Sequence, residues 1–176
     1  GTLIRTFIGH KAEIHAVAFS PDGNTICTGS DDAEAMLWDI KTGKHLLTLK
    51  GHDSNICSVA FSPCGAKVLT GSADDLAILW DKNTGQIIHT LKGHDDLVCA
   101  VVFSPDGVLM LTGSGDRTAK LWRTSNGKLV QTLAGSKSGI ETVAFAPDGK
   151  SVVCSGYDPH VYLWNIECLY PVQSFA

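Results

Sequence analysis

Three histidines, His10, His52 and His94, recur 42 residues apart, each followed by a threonine (Thr28, Thr70, Thr112) and then by an aspartate (Asp32, Asp74, Asp116). Hydroxyl, imidazole and carboxylate are the groups of a nucleophilic triad, and imidazole with carboxylate is also a metal-ligand combination. The even spacing argues against both. A triad or an ion needs its groups at one centre, whereas a repeated interval puts each histidine in its own structural unit.

Six cysteines (Cys27, Cys57, Cys64, Cys99, Cys154, Cys168) add possible thiol chemistry. No two form a Cys-x-x-Cys unit, and the nearest pair, Cys57 and Cys64, has no second close pair to complete a tetrahedral zinc set. Reduced, structural thiols are expected. Gly149-Lys150-Ser151 resembles the end of a phosphate loop, but the earlier position that must be glycine holds Ala144. Gly113-Ser114-Gly115 is too short for a dinucleotide fingerprint, and neither serine between Gly135 and Gly139 sits at the centre of a nucleophile elbow. No catalytic residue, cofactor or metal ligand is therefore assigned.

The 176 residues are 44% hydrophobic and 18% charged with a net charge of −4, the composition of one globular domain. The mild acidity lacks the positive field that phosphate backbones require, so nucleic acid is not an expected partner. No apolar stretch approaches the ~18 residues that cross a bilayer, and the start, Gly1-Thr2-Leu3-Ile4-Arg5, lacks the order of a signal peptide. A cytoplasmic protein without membrane contact is expected. Residue 1 is Gly rather than Met, so it need not be a natural terminus.

The elements that position these residues follow from an internal repeat. Trp38, Trp80, Trp122 and Trp164 stand 42 apart, and the same step relates Gly9-His10, Gly51-His52, Gly93-His94 and Gly135-Ser136. It also relates Ser20-Pro21-Asp22-Gly23 to Ser62-Pro63-Cys64-Gly65, Ser104-Pro105-Asp106-Gly107 and Ala146-Pro147-Asp148-Gly149. Within a period, short apolar runs alternate with Gly, Pro, Asn and Asp turns, and no helical spacing occurs. In the first copy, strands are predicted at residues 14–19, 25–29, 34–38 and 44–49. Pro presets φ in the first turn, Asp bonds nearby backbone, and Gly accepts positive φ. Four antiparallel strands per period make one propeller blade, which buries its faces only against neighbouring blades.

Gly-His followed about 28 residues later by Trp-Asp, as in Gly9-His10 with Trp38-Asp39 and Gly51-His52 with Trp80-Asp81, closely resembles the WD40 repeat family over the whole chain. The third copy has Arg123 after its Trp, and the fourth has Ser136 for His and Trp164-Asn165. The resemblance implies an all-β fold of WD40-type blades, with repeats at about 9–50, 51–92, 93–134 and 135–176. It also implies that His, Thr, Asp and Trp form a buried hydrogen-bonded set: His10, Thr28, Asp32, Trp38; His52, Thr70, Asp74, Trp80; His94, Thr112, Asp116, Trp122. The fourth copy offers only Ser136, Cys154, Asp158 and Trp164, and is expected to be the least stable. Proline at 171 in its outer strand is tolerated because an edge strand has an unused donor side.

Residues 3–7 align with the last strand of each copy (45–49, 87–91, 129–133 and 171–175), so the chain reads as four blades plus an extra N-terminal outer strand within residues 1–8. Propellers have about 4–8 blades, and four of this type make half a typical ring. An open half exposes the faces of its end blades. Two chains closing an eight-bladed ring, missing blades from a longer chain, or a strained four-bladed ring would each cover them. In the first case residues 2–8 would complete the partner's fourth blade, displacing residues 171–175.

The resemblance implies a non-catalytic scaffold that presents a rigid top face to peptides or partner domains. The family pattern places top-face positions at Glu13, His15, Asp31; Asn55, Cys57, Ala73; Leu97, Cys99, Gly115; and Gly139, Glu141, Tyr157. A basic or Arg-bearing peptide suits the acidic positions, while Leu97 and the two cysteines could line a dry pocket. The alternative is an architectural half-propeller inside a larger ring or assembly, and behind it stands small-ligand or enzymatic use of the central channel.

Overall fold

The computed structural model describes residues 1–169, which fold into 15 strands in four antiparallel sheets. The first sheet is β1 (Ile14–Phe19), β2 (Thr25–Ser30), β3 (Glu34–Asp39) and β4 (His45–Lys50) in sequential order. β5 (Ile56–Phe61), β6 (Lys67–Ser72), β7 (Ala77–Asp81) and β8 (Ile87–Leu91) form the second. β9 (Val98–Phe103), β10 (Leu109–Ser114), β11 (Thr118–Arg123) and β12 (Leu129–Ala134) form the third. The fourth has three strands among the described residues, β13 (Ile140–Phe145), β14 (Ser151–Gly156) and β15 (Val161–Asn165), followed by a 3₁₀ turn at Glu167–Leu169. The expected outer strand at 171–175 lies outside the described residues.

Local chemistry accounts for the hairpins. At the β1–β2 turn Gly23 adopts φ +69°, its N–H donates to Ser20 O at 2.9 Å, and Thr25 N–H donates to Ser20 Oγ at 2.9 Å. Asp22 accepts from the Ser20 hydroxyl and from Asn24 N–H, which lowers its carboxyl to about 2. At the β2–β3 turns the residue after the aspartate is left-handed: Ala33, Asp75 and Arg117 have φ of 63°, 67° and 70°. The fourth blade has Pro159 there, whose ring holds φ near −65°, so this turn takes another path.

Successive sheets pack face to face through their apolar residues. Leu37, Ala35 and Cys27 bury against Ile56 and Val59; Leu69, Ala77 and Leu79 against Val98 and Val101; Leu111, Ala119 and Leu121 against Ile140 and Val143. Each blade thus depends on its neighbours for a core. Residues 1–8, expected as an outer strand, are not paired into a sheet, because β4 already occupies the outer edge of the first blade. Arg5 instead anchors the segment by donating to Thr42 O at 3.1 Å and Lys41 O at 2.9 Å, and the Phe7 ring meets Trp38.

Candidate functional site

In each of the first three blades four side chains form one line of hydrogen bonds. Trp38 Nε1–H donates to Thr28 Oγ1 at 2.9 Å, Thr28 Oγ1 lies 2.7 Å from His10 Nε2, and His10 Nδ1 lies 2.9 Å from Asp32 Oδ2. The corresponding distances are 2.9, 2.7 and 2.8 Å for Trp80, Thr70, His52 and Asp74, and 2.9, 2.7 and 2.7 Å for Trp122, Thr112, His94 and Asp116. Each threonine oxygen accepts from the indole; with the imidazole proton on Nδ1, donating to the carboxylate, the hydroxyl is free to donate to His Nε2 or to the backbone oxygen 3.4 Å away, of Met36, Ile78 or Lys120. Each carboxylate also accepts the backbone N–H after its histidine, from Lys11, Asp53 and Asp95. Burial pushes the His52 and His94 imidazoles below the ordinary value, more than Asp74 and Asp116 raise them. For Asp74, burial raises the carboxyl, but the N–H of Asp53 and the His52 ring outweigh it and the carboxyl ends lower. These sets are enclosed, each in its own blade, and pin the hairpins together.

The fourth blade solves the same problem with a residue absent from the sequence reading. Tyr162 on β15 donates its hydroxyl to Asp158 Oδ2 at 2.8 Å and accepts Lys137 N–H at 3.2 Å, so it bridges two groups that the carboxylate joins directly elsewhere. Its ring stacks on Trp164 at 5.8 Å between centroids. Ser136 turns away, donating to Ser138 O at 2.7 Å, and Cys154 is a buried thiol raised by that burial to about 11. Tyr162 takes the register of Met36, Ile78 and Lys120, so the visible signal was one tyrosine at a position otherwise without a phenol.

The sequence-predicted top-face residues converge on a different feature, an open cleft of about 410 Å³ lined by His15, Asp31, Asn55, Cys57, Ala73, Leu97, Cys99 and Glu141. A β-bulge on every innermost strand builds it. Ile14 pairs with Ser30 and Ala16 with Gly29, which leaves His15 as the extra residue; the same register shift leaves out Cys57, Cys99 and Glu141. A bulged residue is re-aimed out of the strand's alternation, and here each blade contributes one such side chain to the cleft wall. Beyond each bulge, a backbone N–H from the β2–β3-type turn re-closes the ladder: Asp31 to Glu13 O, Ala73 to Asn55 O, Gly115 to Leu97 O and Tyr157 to Gly139 O. Glu13 and Tyr157 thus flank the cleft without lining it.

Charge is unevenly distributed around this cleft. His15 Nε2 meets Asp31 Oδ1 at 2.8 Å, and Asn55 Nδ2 donates to the same oxygen at 2.7 Å, joining the first blade to the second. The Asp31 hydrogen bond and charge, with Glu13 nearby, hold the exposed imidazole above its usual value. Ligand atoms of Glu13, His15 and Asp31 lie within 4.8 Å of one another, a spacing a metal ion could use, although His15 and Asp31 already satisfy each other. Leu97, Ala73 and the Cys57 and Cys99 thiols supply the less polar part of the lining. Burial, followed by the charges of Asp31 and Asp74, raises Cys57; burial and then Glu141 raise Cys99 to about 11. Both therefore stay protonated at neutral pH and are poor nucleophiles. Glu141 also raises the Tyr157 phenol through hydrogen bond and charge. Two carboxylates and no lysine or arginine line the cleft among the described residues, which suits a cationic group with an apolar stem.

The WD domain, G-beta repeat family matches at residues 1–39, 43–81, 85–123 and 127–165. These units are staggered against the sheets: residues 43–81 span β4 of the first blade and β5–β7 of the second. Among curated proteins, the small ribosomal subunit protein RACK1 of Caenorhabditis elegans is 50% identical over 42 residues, 24% of this chain and 13% of that protein. The guanine nucleotide-binding protein subunit beta of Solanum tuberosum is 52% identical over 42 residues, 24% of this chain and 11% of that protein. The matched stretch is thus about one repeat and a small part of either relative.

Proposed function

Because this chain belongs to the WD40 repeat family, we propose that it is a non-catalytic interaction scaffold whose acidic-rimmed cleft receives a basic side chain of a partner peptide. The carrying observation is the convergence of one bulged side chain per blade, His15, Cys57, Cys99 and Glu141, on one cleft that also holds Asp31 and, among the described residues, no lysine or arginine. Arginine suits it: the guanidinium is placed against Asp31 or Glu141 while its methylenes lie on Leu97 and Ala73. One relative is named as a protein of the small ribosomal subunit and the other as a subunit of a guanine nucleotide-binding protein, which supports a scaffold role. A cytoplasmic location fits the free thiols and the lack, among the described residues, of any helix long and apolar enough to cross a membrane.

The test is binding of fluorescent Arg-containing and Ala-substituted peptides to the wild type and to Glu13→Lys/Asp31→Lys. Loss of Arg-dependent binding in the variant is expected; undiminished binding would move the partner to another face and favour the architectural reading. That second reading rests on the exposed apolar residues of the first and fourth blades, which further blades, from a second copy or from elsewhere in a longer chain, would cover.

A further inference from the structure

A second cleft, of about 400 Å³, lies between the second and third blades. Its lining includes Lys67 at the start of β6, Ile88 on β8, Val108 from the β9–β10 turn, and Arg123, Thr124 and Ser125 where β11 turns into β12. Neighbouring strands are antiparallel, so these turns sit at the opposite end of the blades from the β2–β3-type turns that carry Asp31 and Ala73.

The side chains here have unmet demands. Lys67 and Arg123 are half-buried, and no carboxylate joins them in the lining. The nearby carboxylates are committed to their own turns. Asp81, paired with Lys67 across the β6–β7 ladder, accepts from Asn83 N–H at 2.9 Å and Thr84 N–H at 2.8 Å, and Asp106 accepts from the Ser104 hydroxyl at 2.6 Å and Val108 N–H at 2.9 Å. Thr124 is buried, and its Oγ1 is enclosed with no hydrogen-bond partner among the described residues. The same holds for His89 Nε2, whose ring packs on the far end of the same turn: a Cβ on Gly127 would lie 2.8 Å from His89 Cγ. Half-buried cations and an enclosed hydroxyl without partners are penalised, and an anion in the cleft relieves both.

The repeat does not require this chemistry. At the 42-residue step the pair Lys67 and Arg123 becomes Thr25 and Asp81 at the preceding joint, and Leu109 and Asn165 at the following one; Thr124 becomes Lys82 and Ile166. Two cations therefore face one cleft at one of the three joints among the described residues. Nor does the turn need Arg123 as the other turns need Asp39 and Asp81, since it closes through Gly127 N–H donating to Arg123 O at 2.8 Å and Lys128 N–H to Asn126 Oδ1 at 3.0 Å.

We propose that this cleft binds a phosphate monoester. Arg123 and Lys67 hold the phosphate oxygens, the Thr124 and Ser125 hydroxyls donate to them, and Ile88 and Val108 lie along the ester's stem. Two cations match a dianion better than they match a single carboxylate, and the guanidinium fork pairs with two oxygens at once. The site stands apart from the acidic cleft, whose carboxylates repel such a group.

The test is a titration of the ¹⁵N-labelled full chain at constant ionic strength, read by amide chemical shifts, with capped peptides that differ only in a central phosphoserine, glutamate or serine, and with inorganic phosphate. The phosphoserine peptide should shift the amides of Gly107, Val108, Thr124 and Ser125, and the serine peptide should not. Arg123→Asp and Lys67→Thr place residues that other blades already hold at these positions, so the fold is retained, and each should weaken phosphopeptide binding about tenfold to a hundredfold. Thr124→Val, which removes a hydroxyl that has no partner in the protein, should weaken it about tenfold. Inorganic phosphate bound as tightly as the phosphopeptide supports the site and assigns it to a free phosphorylated small molecule; a phosphopeptide bound at least tenfold more tightly supports it and assigns it to a phosphorylated side chain. A glutamate peptide that binds as tightly as the phosphopeptide overturns the choice of phosphate. Shifts confined to other amides, affinity unchanged in Arg123→Asp, or no shift from either phosphate probe at millimolar concentration overturns the site.

Discussion

Replacing Gly113 by alanine should destabilise the protein, although at an extended backbone position the same exchange ordinarily stabilises by about 0.4–1 kcal/mol through the unfolded chain. The added methyl would lie 2.7 Å from Ile140 Cγ2 and from Val143 Cγ1. Carbon–carbon contacts are comfortable near 3.5–4.0 Å, so the third and fourth blades must part by close to an ångström. Overpacking of this kind costs about 1–3 kcal/mol, which leaves a net loss of roughly 1–2 kcal/mol after the unfolded-state gain. Equilibrium urea unfolding of the full chain reads it as a lower midpoint at unchanged slope; a reduced slope would mean that the fourth blade separates before the rest. Adding Val143→Ala removes one of the two colliding atoms and should show a favourable coupling of about 1 kcal/mol in a double-mutant cycle. Full stability of Gly113→Ala, or strict additivity with Val143→Ala, would refute tight blade joints.

Acidification should lower stability in two stages. His52 and His94 have pKa values below those of the unfolded chain, so the unfolded state takes up protons first; stability is full above about pH 6.5 and declines as pH falls below it. A second decline follows below about pH 4, where Asp32, Asp74 and Asp116, all lowered by folding, must be protonated. Equal urea midpoints at pH 7.5 and 5.5 would contradict the first stage. Tyr162→Phe should destabilise the fourth blade by about 1 kcal/mol and speed amide exchange at Lys137, whose N–H loses its acceptor; unchanged exchange would show the bridge to be idle. Because protonated His15 competes with a cationic ligand for Asp31, and Asp31 raises the His15 pKa, affinity for an Arg-bearing peptide should rise with pH from 6 to 8, about tenfold at most. His15→Gln should flatten that profile in a titration by fluorescence polarisation.

Strand positions and turns were readable in the chain because they follow from neighbouring residues: alternation within Ile14–Phe19, and a Ser-Pro-Asp-Gly order that works as a turn wherever it occurs. The 42-residue step then placed His52, Thr70, Asp74 and Trp80 at offsets that a repeated hairpin must bring together. Cleft positions were named through the family pattern, but not the bulges that aim them: a register shift such as that around Cys57 is a relation between two paired strands, and nothing within Ile56–Phe61 announces it. The Tyr162 bridge was missed for a similar reason, since Asp158, Lys137 and Tyr162 meet only across a folded hairpin.

Two features show where local information stops. Residues 3–7 have the pattern of an outer strand, yet are unpaired, because a strand exists only beside another strand with free hydrogen-bonding groups. Gly29, Gly71 and Gly113 recur at the 42-residue step, but the need for glycine there came from the fold, which would bring a Cβ at each within 2.5–2.8 Å of an Ile or Val of the next blade. The repeat, the strands and the buried His–Thr–Asp–Trp sets were thus set by the order of residues, whereas the cleft, the Tyr162 bridge and the fit between blades were decided by tertiary packing, since close packing turns the presence or absence of one methyl group into a contact or a clash.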